Sequence, residues 1–190
     1  MQNTPLEIGQ SVAANRTFIW SISNSIYVEP DTINITDVSS GVVLLANGEN
    51  TGLFTATHAE ITRLTPGENK WRITAQNTQG GAITRDYDVP WYARQFWGVS
   101  DLPTLDAAGV VALQNSVLAA SPAGTRQFAA GGYKYFVSTV PLTSFRSNNF
   151  DVPFEDGYQV TWTNAHGVPQ TSWVYRTVNT LGGVVAITAE

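Results

Sequence analysis

GYQVTWTNAHGVPQTSWVYRTVNTLGGVVAITAE, residues Gly157–Glu190, is the stretch whose reading decides the fold. Apolar and polar residues alternate with period two, and Asn and Gly, which tolerate left-handed backbone, interrupt the alternation. The pattern predicts three consecutive strands joined by two tight turns, Asn164–Gly167 and Asn179–Gly183, as a terminal meander. Four large aromatics lie on its first two strands. Tyr158 and Trp162 share a face of the first, Trp173 and Tyr175 a face of the second, and hairpin partners of this kind are expected to form a cross-strand aromatic ladder. These four are the candidate ligand or subunit contacts. An exposed ladder stacks sugars or binds protein, whereas a buried one is core; an aromatic share of 11% with six Trp favours burial.

Upstream, the same strand signature recurs. Trp91–Val99, Gln127–Ala130 and Tyr133–Val140 read as strands, and Leu105–Ala120 as a single helix. There Val110, Leu113 and Val117 recur at helical spacing, Thr104 is placed to cap and Asp106 to face the dipole. In the first ninety residues, Arg16–Ile22 puts Phe18, Trp20 and Ile22 on one face, and Thr32–Val38 does the same with Ile33, Ile35 and Asp37. Val42–Ala46 stops at Asn47-Gly48, a two-residue hairpin signal. Leu53–Leu64, Lys70–Asn77 (Trp71, Ile73 and Ala75 together) and Ala82–Val89 continue the series. Residues 1–14 carry no period and are expected to be a loose arm or the approach to the first strand. The fold class is mainly β: two β-sandwich-like domains, residues 1–90 immunoglobulin-like and residues 91–190 an antiparallel β domain with one short helix at about 105–120.

Charged residues make up 13% of the chain, against about 25% in ordinary soluble domains. Residues 1–90 hold nine acids and five bases (−4), and residues 91–190 six acids and five bases (−1). Neither half has the basic face that phosphate neutralisation requires, so nucleic acid is not an expected partner. There is no cysteine, which excludes disulfides, thiolate catalysis and Cys-ligated zinc. No run approaches the ~18 apolar residues of a membrane span, and the first ten residues lack a secretory pattern. The expectation is a chain made in a cytoplasm and not inserted in a membrane.

No constellation carries chemistry. His58 and His166 are the two histidines, and His166 sits in a turn. His58 and Glu60 offer two metal ligands without a third, and Asp86 and Asp88 two oxygens where calcium takes about six. Asp151, Glu155 and Asp156 are the best paired carboxylates, but they share one short loop rather than opposite walls of a sugar cleft. The Gly-Gly pairs at 80–81, 131–132 and 182–183 are turns, none of which opens a helix. The chain reads as non-enzymatic, with no cofactor and no metal site.

Four segments also carry a resemblance: Tyr92–Ser100 (YARQFWGVS), the helix after Thr104, Gly131–Pro141 (GGYKYFVSTVP) and Val160–Glu190. The last holds a V-x-x-T-N-x-x-G strand-turn at Val160–Gly167. It also holds a V-Y-R-[S/T]-x-N-x-L hairpin, followed by glycine, at Val174–Gly182. Together they resemble a domain found in structural proteins of tailed bacteriophages and prophages. The likeness covers about the last hundred residues; the first ninety are similar to immunoglobulin-like phage domains in pattern alone. The resemblance implies a non-enzymatic virion component of the tail, fibre, baseplate or capsid surface, assembled in the host cytoplasm. Its implied partners are other virion proteins and copies of itself, with a host surface glycan where it serves attachment. The alternative from the residues is a carbohydrate-binding module using the aromatic strand face.

Overall fold

The computed structural model describes residues 4–13, 15–22, 28–29, 31–49, 51–57 and 60–190. The protein is mainly β, with one five-residue helix among the described residues. It divides into two compact units, Met1–Leu6 with Gln10–Trp91, and Glu7–Gly9 with Tyr92–Glu190.

The first unit contains β1 (Leu6–Glu7), β2 (Ser11–Val12), β3 (Asn15–Ser21), β4 (Ile33–Asp37), β5 (Val42–Gly48), β6 (Thr51–Thr57), β7 (Ile61–Thr62), β8 (Gly67–Gln76) and β9 (Ala82–Tyr92), apart from the last residues of β1 and β9. A five-stranded sheet in the order β1-β9-β8-β4-β5 faces the β3–β6 ribbon, and β2 pairs with β7. Phe18 and Ala56 of the ribbon pack with Ile35, Trp71, Val89 and Trp91 of the sheet. Arg16 lays its guanidinium 4.6 Å from the Trp71 ring centroid and 4.7 Å from that of Tyr87, keeping its charge outside while covering the core aromatics. Asp37 is buried as its place in the alternation requires. Its Oδ1 accepts from Ser39 N at 2.9 Å, closing the turn after β4. Asn47-Gly48 is not the expected hairpin turn. Both residues lie inside β5, where Asn47 has φ 56° and the pairing with β4 shifts register between Ile33 and Ile35. Left-handed Asn serves a β-bulge here as readily as a turn.

The second unit contains β10 (Arg94–Ser100), α1 (Ala107–Val111), β11 (Asn115–Leu118), β12 (Gly124–Phe128), β13 (Tyr133–Ser138), β14 (Phe145–Ser147), β15 (Phe150–Asp151), β16 (Tyr158–Thr163), β17 (Pro169–Arg176) and β18 (Val185–Ala189). Its main sheet runs β11-β10-β13-β17-β16 and its second β12-β18-β14-β15. One face of the main sheet packs Phe96, Tyr135, Val137, Trp162 and Val174 against Leu105, Val110 and Leu113 in and around α1. The other packs Phe136 and Tyr175 against Phe128, Phe145, Ile187 and Ala189 of the second sheet. Outward faces carry hydroxyl pairs, Thr125–Thr188 at 2.7 Å and Thr161–Thr171 at 3.0 Å, which accounts for strands so poor in charge.

The expected helix over Leu105–Ala120 shrinks to α1, capped by Asp106 rather than Thr104; the Asp106 side chain accepts from Gly109 N at 2.8 Å. Leu105, Val110 and Leu113 do share the core-facing side, but Asn115–Leu118 is a strand on the edge of β10. Pairing there satisfies backbone that a further helical turn, begun on Gly109, would have to stabilise alone. The Gln114 amide extends the ladder. It accepts from Val99 N at 2.7 Å and donates to Val99 O at 2.9 Å.

The terminal stretch is not a meander. β16 and β17 form the expected hairpin, but β18 leaves for the second sheet, between β12 and β14. The free side of β17 is taken by β13, where Tyr175 faces Phe136. Period-two alternation fits either sheet equally well, so the choice is made by the burial of Ile187 and Ala189, both 0% exposed. The segment read as a second tight turn is therefore a crossing between sheets. It is held by Leu181 N donating to Gly132 O and Gly131 N to Leu181 O, each at 3.1 Å.

Candidate functional site

Hairpin register decides the fate of the four aromatics. Tyr158 stands opposite Val174 and Trp162 opposite Gln170, whereas Trp173 stands opposite Gln159. Tyr158 and Trp162 therefore share one face of the sheet, and Trp173 and Tyr175 occupy the other. The cross-strand ladder does not form, because each aromatic pair alternates out of phase with its partner strand. Trp162 packs edge-on to Phe96 with centroids 5.0 Å apart and donates Nε1–H to Ser172 Oγ at 3.0 Å. Tyr175 is buried in the second-sheet core, and its hydroxyl accepts from Leu142 N at 2.9 Å. Gly157 must be glycine, since a Cβ there would overlap the Tyr175 ring.

The residues that carry the recognisable motifs converge on joints of the second unit. Lys134, from GGYKYF, is 0% exposed. Its Nζ donates to Ala129 O (2.7 Å), Gly131 O (2.6 Å) and Leu181 O (2.9 Å). Burial holds this ammonium below the ordinary lysine pKa. Thr177 is likewise buried, and its hydroxyl accepts from Lys134 N at 3.0 Å while its own N–H donates to Lys134 O. Arg176 pairs with Glu155 and lies 4.3 Å from the Tyr133 ring centroid. Tyr135, 0% exposed, donates to Leu102 O at 2.6 Å; burial raises its pKa to about 12.

Of the two readings of the amino-terminal segment, a loose arm does not fit Glu7 and Ile8, which are 3% and 1% exposed. Arg94 clasps the Glu7 carboxylate through Nε (3.0 Å) and Nη2 (3.2 Å), and Ile8 N donates to Tyr92 O. Asn164 Nδ2 donates to Ile8 O at 2.6 Å. His166 occupies the exposed turn read from sequence, with Nε2 3.9 Å from Glu7 Oε2. A lone Glu in a short polar segment gives no sign of this burial. The signal lay in Gly9, whose φ of +90° few other residues adopt.

Asp151, Glu155 and Asp156 line an open cavity of about 550 Å³ with Arg146, Phe154 and Tyr175. Asp151 meets Arg146 at 3.2 Å and Glu155 meets Arg176, with the carboxylates 87% and 48% exposed. Both carboxylates are ion-paired and open to solvent, and the three acids sit in one loop rather than on facing walls of a cleft. Asp86 accepts from Arg72 at 2.7 and 2.9 Å, and Asp88 lies 3.7 Å from Lys70, so both serve cross-strand ion pairs on β8 and β9. His58 lies outside the described residues, which leaves Glu60 of that pair, exposed.

No protein-family model, no curated protein and no solved structure matches this chain.

Proposed function

We propose that this chain is a non-enzymatic structural component of a tailed-bacteriophage virion, at the tail, fibre, baseplate or capsid surface. Other virion proteins and copies of itself are its partners. The first unit then serves as an immunoglobulin-like spacer or attachment module. What supports the reading is the use made of the residues that carry the resemblance. Asn164, Tyr175, Thr177, Leu181 and Lys134 join strands, sheets and crossing loop to one another. Sequence spent on joints rather than on a reactive cleft suits a protein whose task is to hold shape in an assembly. The test is mass spectrometry of purified particles from a lysate in which the gene is expressed during phage growth. The chain should appear at fixed stoichiometry with the tail or capsid proteins. Its absence from intact particles overturns the reading.

A further inference from the structure

Strand edges expose unpaired N–H and C=O groups, and folded proteins blunt them with short strands, charges, proline or bulges. Most sheet edges among the described residues are blunted in these ways. β1 has two residues, β5 carries register shifts, β12 carries Arg126, β11 has four residues and β15 has two. Among edge strands bordered on both sides by described residues, β16 has none of these devices. Its six residues, YQVTWT, hold no charge and no proline, and they pair with β17 in unbroken register.

The orientation of its backbone follows from the hairpin. Asn164 N donates to Val168 O at 3.0 Å, so alternation turns the backbone groups of Trp162, Val160 and Tyr158 toward β17. Those of Gln159, Thr161 and Thr163 point away from the sheet. The side chains of these same three residues are exposed.

We propose that β16 is a homotypic pairing edge: two copies of this chain join their main sheets by antiparallel β16–β16 contact about a two-fold axis near Thr161. In that arrangement Thr161 faces its own counterpart, and Gln159 faces Thr163, so the strand is self-complementary in backbone and brings no like charges together. Helix α1, which packs against β16, leaves Val111 51% exposed, an apolar side chain on the element beside the edge. The inference rests on the edge alone and stands whether or not the chain belongs to a virion.

Sedimentation velocity of the full chain over a wide concentration range tests it, alongside Thr161→Lys and Thr161→Pro. The lysine sets like charges opposite each other across the axis. The proline removes an outward N–H without touching the β17 ladder. Wild type should form a dimer, and either variant should raise its dissociation constant by about tenfold or more with an unchanged circular dichroism spectrum. Slowed amide exchange at Gln159, Thr161 and Thr163 should accompany wild-type dimerisation. A wild type that stays monomeric overturns the proposal, as does an oligomer that both folded variants leave intact. Absence of the chain from particles, by contrast, would sink the virion reading and leave this pairing standing.

Discussion

Asn164 Nδ2 donates to Ile8 O at 2.6 Å, joining residues 156 apart in sequence. The same side chain accepts, through Oδ1, from His166 N (3.0 Å) and Val168 N (2.9 Å). One amide therefore shapes the β16–β17 turn and holds the Glu7–Gly9 segment against it. Its three hydrogen bonds are made in a buried site, where each unmet group carries a full desolvation penalty.

Asn164→Ala should destabilise the protein by about 2–4 kcal/mol, read as a lowered urea midpoint. Gly9→Ala should do comparable damage by a different route. Gly9 has φ +90°, and a Cβ would come 2.5 Å from Val168 Cγ2 and 2.9 Å from His166 Cβ. Left-handed strain and overpacking together cost about 3 kcal/mol. If both variants melt like wild type, the segment is not docked as described.

Lys134→Met keeps much of the side-chain volume and removes the ammonium that three carbonyls accept from. Those carbonyls close the loop before β13 onto the crossing that carries the chain from β17 to β18. Stranding them should cost about 3 kcal/mol or more, a fall of roughly 15 °C in melting temperature for a unit of this size. Amide exchange at Gly131 and Leu181 should rise first, since their mutual hydrogen bonds lean on the same cluster. Exchange unchanged at both would show that the lysine is not what holds the loop.

Period-two alternation made the strands legible, because burial of one sheet face imposes it directly. Phe18 and Trp20, Ile33 and Ile35, and Trp71 and Ala75 fall on the faces that alternation assigns. What alternation does not encode is the partner of each strand. The passage of β18 to the second sheet, the edge pairing of Asn115–Leu118 and the bulge at Asn47 all depend on residues far away in sequence. The cross-strand aromatic ladder fails to form for a related reason. Tyr158 and Trp162 were correctly placed together, as were Trp173 and Tyr175, but a one-residue phase between hairpin partners sends the two pairs to opposite faces. Burial of Glu7 was invisible because its partners, Arg94 and His166, lie 87 and 159 residues away.

Tyr135 ties stability to alkaline pH. Its folded pKa is raised to about 12 from an unfolded value of about 10, so between those values the folded state holds a proton that the unfolded chain has released. Its contribution is complete below pH 10 and is lost as pH rises toward 12, by up to about 2 kcal/mol. Tyr135→Phe should flatten that part of the stability–pH curve while losing about 1 kcal/mol at neutral pH from the hydrogen bond to Leu102 O. Absorbance at the tyrosinate band should show one late-titrating phenol that the variant lacks. An equally steep alkaline loss in Tyr135→Phe would assign the slope to other groups.

The tryptophans separate a packing role from an exposed sugar platform. None of the six is exposed: Trp71 and Trp91 are 0% and Trp162 is 3% accessible, and Trp20, Trp97 and Trp173 are half-buried. Native emission should therefore lie to the blue of the denatured spectrum and resist iodide, with both differences disappearing in denaturant. Trp162→Ala should remove about 3–5 kcal/mol, because it empties the space beside Phe96 and leaves Ser172 Oγ, itself buried, without its donor. A platform tryptophan behaves otherwise: its truncation abolishes glycan binding while the melting curve stays in place. Red-shifted, readily quenched native emission together with a harmless Trp162→Ala would contradict the two-faced placement of these aromatics and return the sugar platform as the better account.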